Sequence, residues 1–139
     1  LELAGELGAT HTINRKKVPD ITEAILEIAP AGADCAIDTS GVESMILTAI
    51  KSTAYSGRVA CAGNCNVTMN VGSDWGNKTL YGVCEGNVSP KQFIPQVIEY
   101  YRQGRFPLDK IIKCYSFEEI NQAFEDSGKG RAIKAVIKF

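Results

Sequence analysis

Apolar and polar residues fall in blocks along this chain, switching between a helical period and short continuous apolar runs. Leu1, Leu3, Ala4 and Leu7 before Gly8 read as the closing turns of a helix with Gly8 as its stop. A chain rarely opens mid-helix, so this one is expected to be a piece of something longer. Thr10-His11-Thr12-Ile13-Asn14 predicts a short strand, followed by a loop at Arg15, Lys16 and Lys17. Pro19 and Asp20 open a helix with Ile21, Ala24, Ile25 and Ile28 along one stripe, ended by Pro30 and Gly32. An apolar strand then runs to Asp38 and into the polar loop Thr39-Ser40-Gly41. Behind it Val42, Met45, Ile46, Ala49 and Ile50 recur at the period of a helix with one buried face.

Ser56-Gly57 predicts a turn into Arg58-Val59-Ala60-Cys61-Ala62, an apolar run suited to a strand buried on both faces, ending in Gly63-Asn64. Residues 67–71, from Val67 to Val71, read as a short extended piece, and residues 72–78 as a turn with little helix. Thr79-Leu80-Tyr81-Gly82-Val83-Cys84 is a further strand, closed by Glu85-Gly86-Asn87. Ser89-Pro90 opens a helix whose buried face is Phe93, Ile94, Val97, Ile98 and Tyr101, with Pro95 kinking it or marking its regular start. Residues 111–115 form a strand. Ser116-Phe117-Glu118-Glu119 is a capping box, opening a helix on Phe117, Ile120, Ala123 and Phe124 that stops in Ser127-Gly128-Lys129-Gly130. The tail alternates, with Ile133, Ala135, Ile137 and Phe139 on one side and Lys134, Val136 and Lys138 on the other. This order predicts an α/β fold: a mainly parallel sheet with helices on both faces.

Composition narrows the picture. At 139 residues the chain has room for one domain with a real core. Its net charge of −1 comes from 15 basic and 16 acidic residues without a block of one sign. Neither nucleic acid nor a membrane surface is implied as a partner. No apolar run approaches a bilayer span and the start has no signal-peptide pattern, so a cytoplasmic protein is expected. The cysteines number five, an odd count with no C-x2-C pair. Cys35, Cys61, Cys84 and Cys114 sit in or beside apolar runs and are expected to be buried, reduced thiols. The competing use is a site built from Cys61, Cys65 and the lone His11.

Asp38-Thr39-Ser40-Gly41 invites an aspartic-protease reading, but Ser40 interrupts that pattern and the helices contradict the all-β frame it needs. The residues instead end a strand and cap a helix, or form a loop against which a planar ligand rests. In an open α/β sheet the two readings are compatible. Gly63-Asn64 and Glu85-Gly86-Asn87 close two more strands in the same manner. Parallel strands would bring all three loops to one sheet edge, beside one crevice. The glycines serve tight turns or close approach of a ligand, and the repetition favours a ligand. Lys134, behind Gly128-Lys129-Gly130-Arg131, is a solvent-facing strand residue or a phosphate contact. No nucleophile, base and orienting group line up at a recognisable spacing.

Several stretches together carry a resemblance. They are Glu6-Leu7-Gly8-Ala9-Thr10-His11, Asp34-Cys35-Ala36-Ile37-Asp38-Thr39-Ser40-Gly41 and Gly57-Arg58-Val59-Ala60-Cys61-Ala62-Gly63. Phe106-Pro107-Leu108-Asp109-Lys110, Phe117-Glu118-Glu119-Ile120-Asn121-Gln122-Ala123 and Ser127-Gly128-Lys129 with the tail extend it. The chain resembles the zinc-dependent medium-chain alcohol dehydrogenases over nearly its whole length, and most of all their aryl- and benzyl-alcohol dehydrogenase branch. The resemblance implies a Rossmann-like fold and makes residues 1–139 the later part of the NAD- or NADP-binding domain plus the C-terminal return.

By position it implies that Thr39 and Ser40 flank the adenosine side of the dinucleotide, with Gly41 beside them among the cofactor-binding residues. Ala62, Gly63 and Asn64 would lie under the nicotinamide ribose, and Val83, Cys84 and Glu85 near the carboxamide. Lys134 would approach the pyrophosphate. The edge strand from Thr79 to Val83, with Val67 to Val71 nearby, would make a homo-oligomer contact. The family's glycine-rich G-x-G-x-x-G loop is not found here, and its catalytic zinc ligands, proton relay and structural zinc site belong to a catalytic domain that the chain is expected to lack. The expected parent acts on a small alcohol or aldehyde, and the piece alone would be inactive. The fold would then be incomplete, with two strands missing between residues 10–14 and the strand ending at Asp38. That gap is expected to close by direct pairing of those strands or by a second chain. The alternatives are a non-catalytic α/β self-association module, or a piece of a zinc-free quinone reductase of the same superfamily.

Overall fold

Helix α3 (Glu43–Ser52) is the piece around which the first core forms, because its Ile46 and Ile50 lie one turn apart on the same face. In the computed structural model both are almost wholly buried, together with Val59. Every residue is described except Cys65, and Asn87 is described for its backbone alone. The chain forms two compact units, Leu1–Asn87 and Val88–Phe139.

The first unit begins with α1 (Glu2–Glu6), which Gly8 terminates at φ +107 as expected. Helix α2 (Ile21–Ile28) starts at Asp20, whose carboxylate accepts the amides of Thr22 and Glu23 at 2.6 and 3.1 Å. Strands β1 (Ala33–Asp38), β2 (Thr53–Cys61) and β3 (Thr79–Gly82) form a parallel sheet in that order. Ala36, Val59 and Leu80 stand in register across it and pack toward α3, joined by Cys61, Val67, Met69 and Trp75.

The α/β class and the parallel sheet match expectation, but several local readings do not. Residues 10–14 form no strand. Asn14 instead opens a turn, its carbonyl accepting Lys17 N–H at 2.8 Å, and a strand without a ladder partner has no reason to persist. The expected direct pairing of residues 10–14 with β1 is therefore absent, and among the described residues β1 pairs with β2 alone. Ser56-Gly57 is not a turn but a bulge inside a longer β2: Ser56 takes φ +64, and the register slips between Ala33/Thr53 and Cys35/Arg58. Residues 67–71 form no strand, and Val71 enters a single π-type turn, Val71–Trp75, capped by the Asn70 side chain.

The sheet face opposite α3 is open. Cys35, Ile37, Arg58 and Tyr81 are exposed there, so β2 is covered on one face and not on two. Ile37 is 73 % exposed. The expected burial of Cys35 fails for the same reason, since apolar neighbours in sequence do not decide which face a side chain takes, and Cys84 is exposed in the loop beyond β3.

The second unit holds α4 (Pro90–Arg102), β4 (Ile112–Ser116), α5 (Ile120–Gly128) and β5 (Lys134–Lys138). Pro95 lies inside α4 without ending it. β4 and β5 form their own parallel pair, where one continuous sheet was expected. The capping box is present, with Glu119 accepting the Ser116 amide at 2.9 Å. Tyr115, Ala123 and Ala132 make the core. Buried Asp126 ties it down, accepting Lys113 Nζ at 2.9 Å and Tyr115 OH, Gln122 Nε2 and Arg131 Nε at 2.8 Å each. The expected buried stripe of α4 is open: Phe93, Ile94, Ile98 and Tyr101 are all exposed, as are Phe117, Phe124 and Cys114. An amphipathic pattern records a face that seeks cover, and these elements do not supply it.

Candidate functional site

Parallel pairing brings the carboxyl ends of β1, β2 and β3 to one edge of the sheet. Hydrogen bonds extend the ladder into the loops: Ala62 and Gly63 N–H reach the Asp38 carbonyl at 2.8 and 3.4 Å, and Val83 N–H reaches the Cys61 carbonyl at 2.9 Å. The side chain of Asp38, itself buried, organises the first loop. Its Oδ1 accepts Ser40 N–H at 3.2 Å and Ser40 Oγ–H at 2.6 Å, while Oδ2 accepts Gly41 N–H at 2.9 Å. Those bonds, the Ser40 hydroxyl first, hold its carboxyl below the ordinary value against the opposing effect of burial. Ser40 Oγ in turn accepts Val42 N–H at 3.1 Å.

The expected cap of α3 by residues 38–40 is corrected in detail. Val42 is the N-cap and offers no side chain for it, while Asp38 and Ser40 hold the loop one step upstream. Sequence reasoning therefore missed the holding role of Asp38. The visible signal was an Asp followed at the second residue by Ser and the third by Gly, the composition of an Asx-type turn.

The first two loops touch backbone to backbone. A Cβ on Gly63 would fall 2.2 Å from Gly41 N, and one on Gly41 would fall 3.1 Å from Asn64 O. Gly41 also sits at φ +65, where glycine is the easy choice. The second and third loops line a cleft of about 630 Å³ made by Cys61, Ala62, Gly63, Asn64, Gly82, Val83, Cys84 and Glu85. Glu85, at φ +50, brings the only formal charge among those lining residues.

Of the residues singled out from sequence, Ala62, Gly63, Asn64, Val83, Cys84 and Glu85 thus share one cleft. Gly41 packs against its Gly63-Asn64 wall, and Thr39 and Ser40 are exposed on the adjoining loop. Lys134 belongs to the second unit, exposed on β5, its N–H bonded to the Ile111 carbonyl at 3.0 Å, beside Ala123 and Ser127. Cleft volume, glycine walls and strand-end placement fit a dinucleotide lying across the sheet edge.

A metal is a different matter. Among the described residues no group of three or more His, Cys, Asp or Glu side chains stands together as a metal site, so no step through zinc is assigned to them. The expected alternative of Cys61, Cys65 and His11 includes Cys65, which lies outside the described residues. Among the described residues no helix is long and apolar enough to cross a membrane.

Residues 1–103 match the family model for zinc-binding dehydrogenases. Geraniol dehydrogenase of Castellaniella defragrans is 36% identical over 142 residues, spanning 99% of this chain and 38% of the relative. The crystal structure of benzyl alcohol dehydrogenase from Acinetobacter calcoaceticus superposes with a TM-score of 0.93 at 41% identity, over 100% of this chain and 40% of that one. An alcohol dehydrogenase zinc-binding domain protein from Burkholderia ambifaria gives 0.93 at 38% identity, over 100% of this chain and 39% of that one. The chain thus spans about two-fifths of the length of the relatives it matches. On its sequence and its parallel α/β architecture alike, the chain belongs to the zinc-binding dehydrogenase family.

Proposed function

We propose that this chain supplies part of the dinucleotide grip of an NAD- or NADP-dependent alcohol dehydrogenase acting on a small alcohol or aldehyde. The observation that carries the reading is the meeting of three strand-end loops at one sheet edge, the second and third lining one cleft and the first joined to it where Gly63 packs against Gly41. Relatives named for geraniol and benzyl alcohol support the reaction class. When bound, the nicotinamide supplies a hydride acceptor. The residues of this chain bind and orient it: Thr39, Ser40 and Gly41 on the adenosine side, Ala62, Gly63 and Asn64 beneath the nicotinamide ribose, and Val83, Cys84 and Glu85 by the carboxamide. Lys134 meets the pyrophosphate as a point charge. In this reading metal and proton-relay chemistry come from residues other than these, and the 139-residue chain on its own is proposed to be inactive.

Self-association accompanies this role. Among the described residues β3 has β2 as its single neighbour, which leaves backbone donors and acceptors for a partner on its outer side, and Val67 and Met69 pack on the core beneath that sheet. Equilibrium dialysis against NAD and NADP, beside sedimentation analysis, tests both parts. Saturable dinucleotide binding is the expected result; a stable oligomer without nucleotide affinity replaces the reading with a plain association module.

A further inference from the structure

We propose that Glu43 is a positioning residue for the cleft, holding its Asn64 wall in place through Thr68; the inference rests on the dinucleotide reading above. β2 ends at Cys61, and residues 67–69 belong to no strand, so the chain beyond Asn64 is fixed by other means. Val67 and Met69 pack on the core of Ile46, Ile50 and Val59. Thr68, between them, is exposed, and its N–H donates to Glu43 Oε1 at 2.7 Å. The acceptor is a carboxylate, so this bond is of the stronger, charge-assisted kind.

Glu43 stands in the first turn of α3, where the helix N–H groups favour a carboxylate. Gly41, which meets Gly63, lies just before that helix. The start of α3 therefore holds the same segment twice: Gly63 by close backbone packing against Gly41, and Thr68 by the hydrogen bond to Glu43. Asn64, on the cleft wall, lies between the two holds. The apolar anchors alone do not set its place. Burial of Val67 and Met69 is non-directional and tolerates sliding along the core, whereas a hydrogen bond fixes distance and angle. Glu43 is not among the residues lining the cleft, so it acts through Thr68 and touches no ligand.

The test compares Glu43→Ala and Glu43→Gln in the whole polypeptide carrying this chain, by hydrogen exchange at the Thr68 amide and by calorimetric titration with NAD and NADP. Glu43→Ala is expected to speed Thr68 exchange roughly tenfold and to weaken dinucleotide binding about three- to tenfold. Glu43→Gln keeps an acceptor oxygen while losing the charge, and is expected to restore most of both. A Gln variant as weak as the Ala variant would make the helix-start charge the cause and overturn the inference. Faster Thr68 exchange with unchanged affinity would overturn it too, by reducing the bond to a structural one, as would unchanged exchange in Glu43→Ala. If the unaltered protein binds neither NAD nor NADP, the dinucleotide reading fails first and takes this one with it.

Discussion

Gly63→Ala tests the site at its tightest point. The added Cβ would fall 2.2 Å from Gly41 N, 2.6 Å from Gly41 Cα and 3.1 Å from Ser40 C. All three atoms are backbone, so no side chain can swing aside to relieve the contact. Comfortable carbon contacts begin near about 3.5 Å, so the two loops must part by roughly 1 Å. The bonds that resist are short: Ala62 N–H to the Asp38 carbonyl at 2.8 Å and Gly41 N–H to Asp38 Oδ2 at 2.9 Å. Overpacking of this kind costs about 1–3 kcal/mol, and one stretched or lost hydrogen bond adds about 1 kcal/mol. Urea unfolding is therefore expected to show a loss of roughly 2–4 kcal/mol at unchanged m-value. Gly82→Ala is the control, because an added Cβ there meets nothing within 4 Å. It is expected to stay within about 0.5 kcal/mol of the parent. If Gly63→Ala were as stable as Gly82→Ala, the two loops would not be in contact and the argument for a shared edge would fall.

Three further outcomes are expected. Asp38→Asn turns an amide donor toward the N–H groups of Ser40 or Gly41, and is expected to cost about 1–3 kcal/mol in the same unfolding assay. Asp126→Asn removes the anion that Lys113, Tyr115, Gln122 and Arg131 all meet. The hydrogen bonds from Lys113 above all hold that carboxyl well below the usual range, so its stabilisation is complete above the unfolded value of about 3.9 and fades as pH falls through the folded one. Thermal melts should show the variant weaker at neutral pH and the gap closing in acid; a gap constant with pH contradicts the assignment. Lys134→Ala is expected to weaken dinucleotide binding about three- to tenfold in equilibrium dialysis, and unchanged binding removes the phosphate role.

Local rules made much of the fold legible. The i, i+4 spacing of Ile46 and Ile50 forecast the buried stripe of α3, and both side chains are in the core. Asp20, Gly8 and the Ser116–Glu119 box all stop or start helices as their chemistry predicts, because capping depends on residues within one turn. What stayed hidden depends on partners far away in sequence. Residues 10–14 carry a strand-like pattern, yet nothing pairs with them as a ladder, and a pattern cannot name its own partner. Phe93, Ile94, Ile98 and Phe124 show helical periodicity and remain exposed. Periodicity reports that a face is apolar, and says nothing about what lies against it.

The candidate site divides along the same line. Each loop was legible singly, since a glycine after an apolar strand marks a place where backbone must turn or something must approach closely. The coupling between loops was not, because Gly41 and Gly63 meet only once β1 and β2 are paired in the observed register, Asp38 opposite Cys61. That register turns an Asx-type turn into part of a wall: one residue, Asp38, fixes the first loop with its carboxylate and the second with its carbonyl. Two loops tied to one residue cannot shift independently, so a ligand lying across them meets a surface already set before it arrives. Preorganisation of that kind spares the ordering cost that a mobile loop would exact on binding. It is the physical reason to expect the effects of Asp38→Asn and Gly63→Ala on binding to be coupled, with the double variant losing less than the two single losses combined.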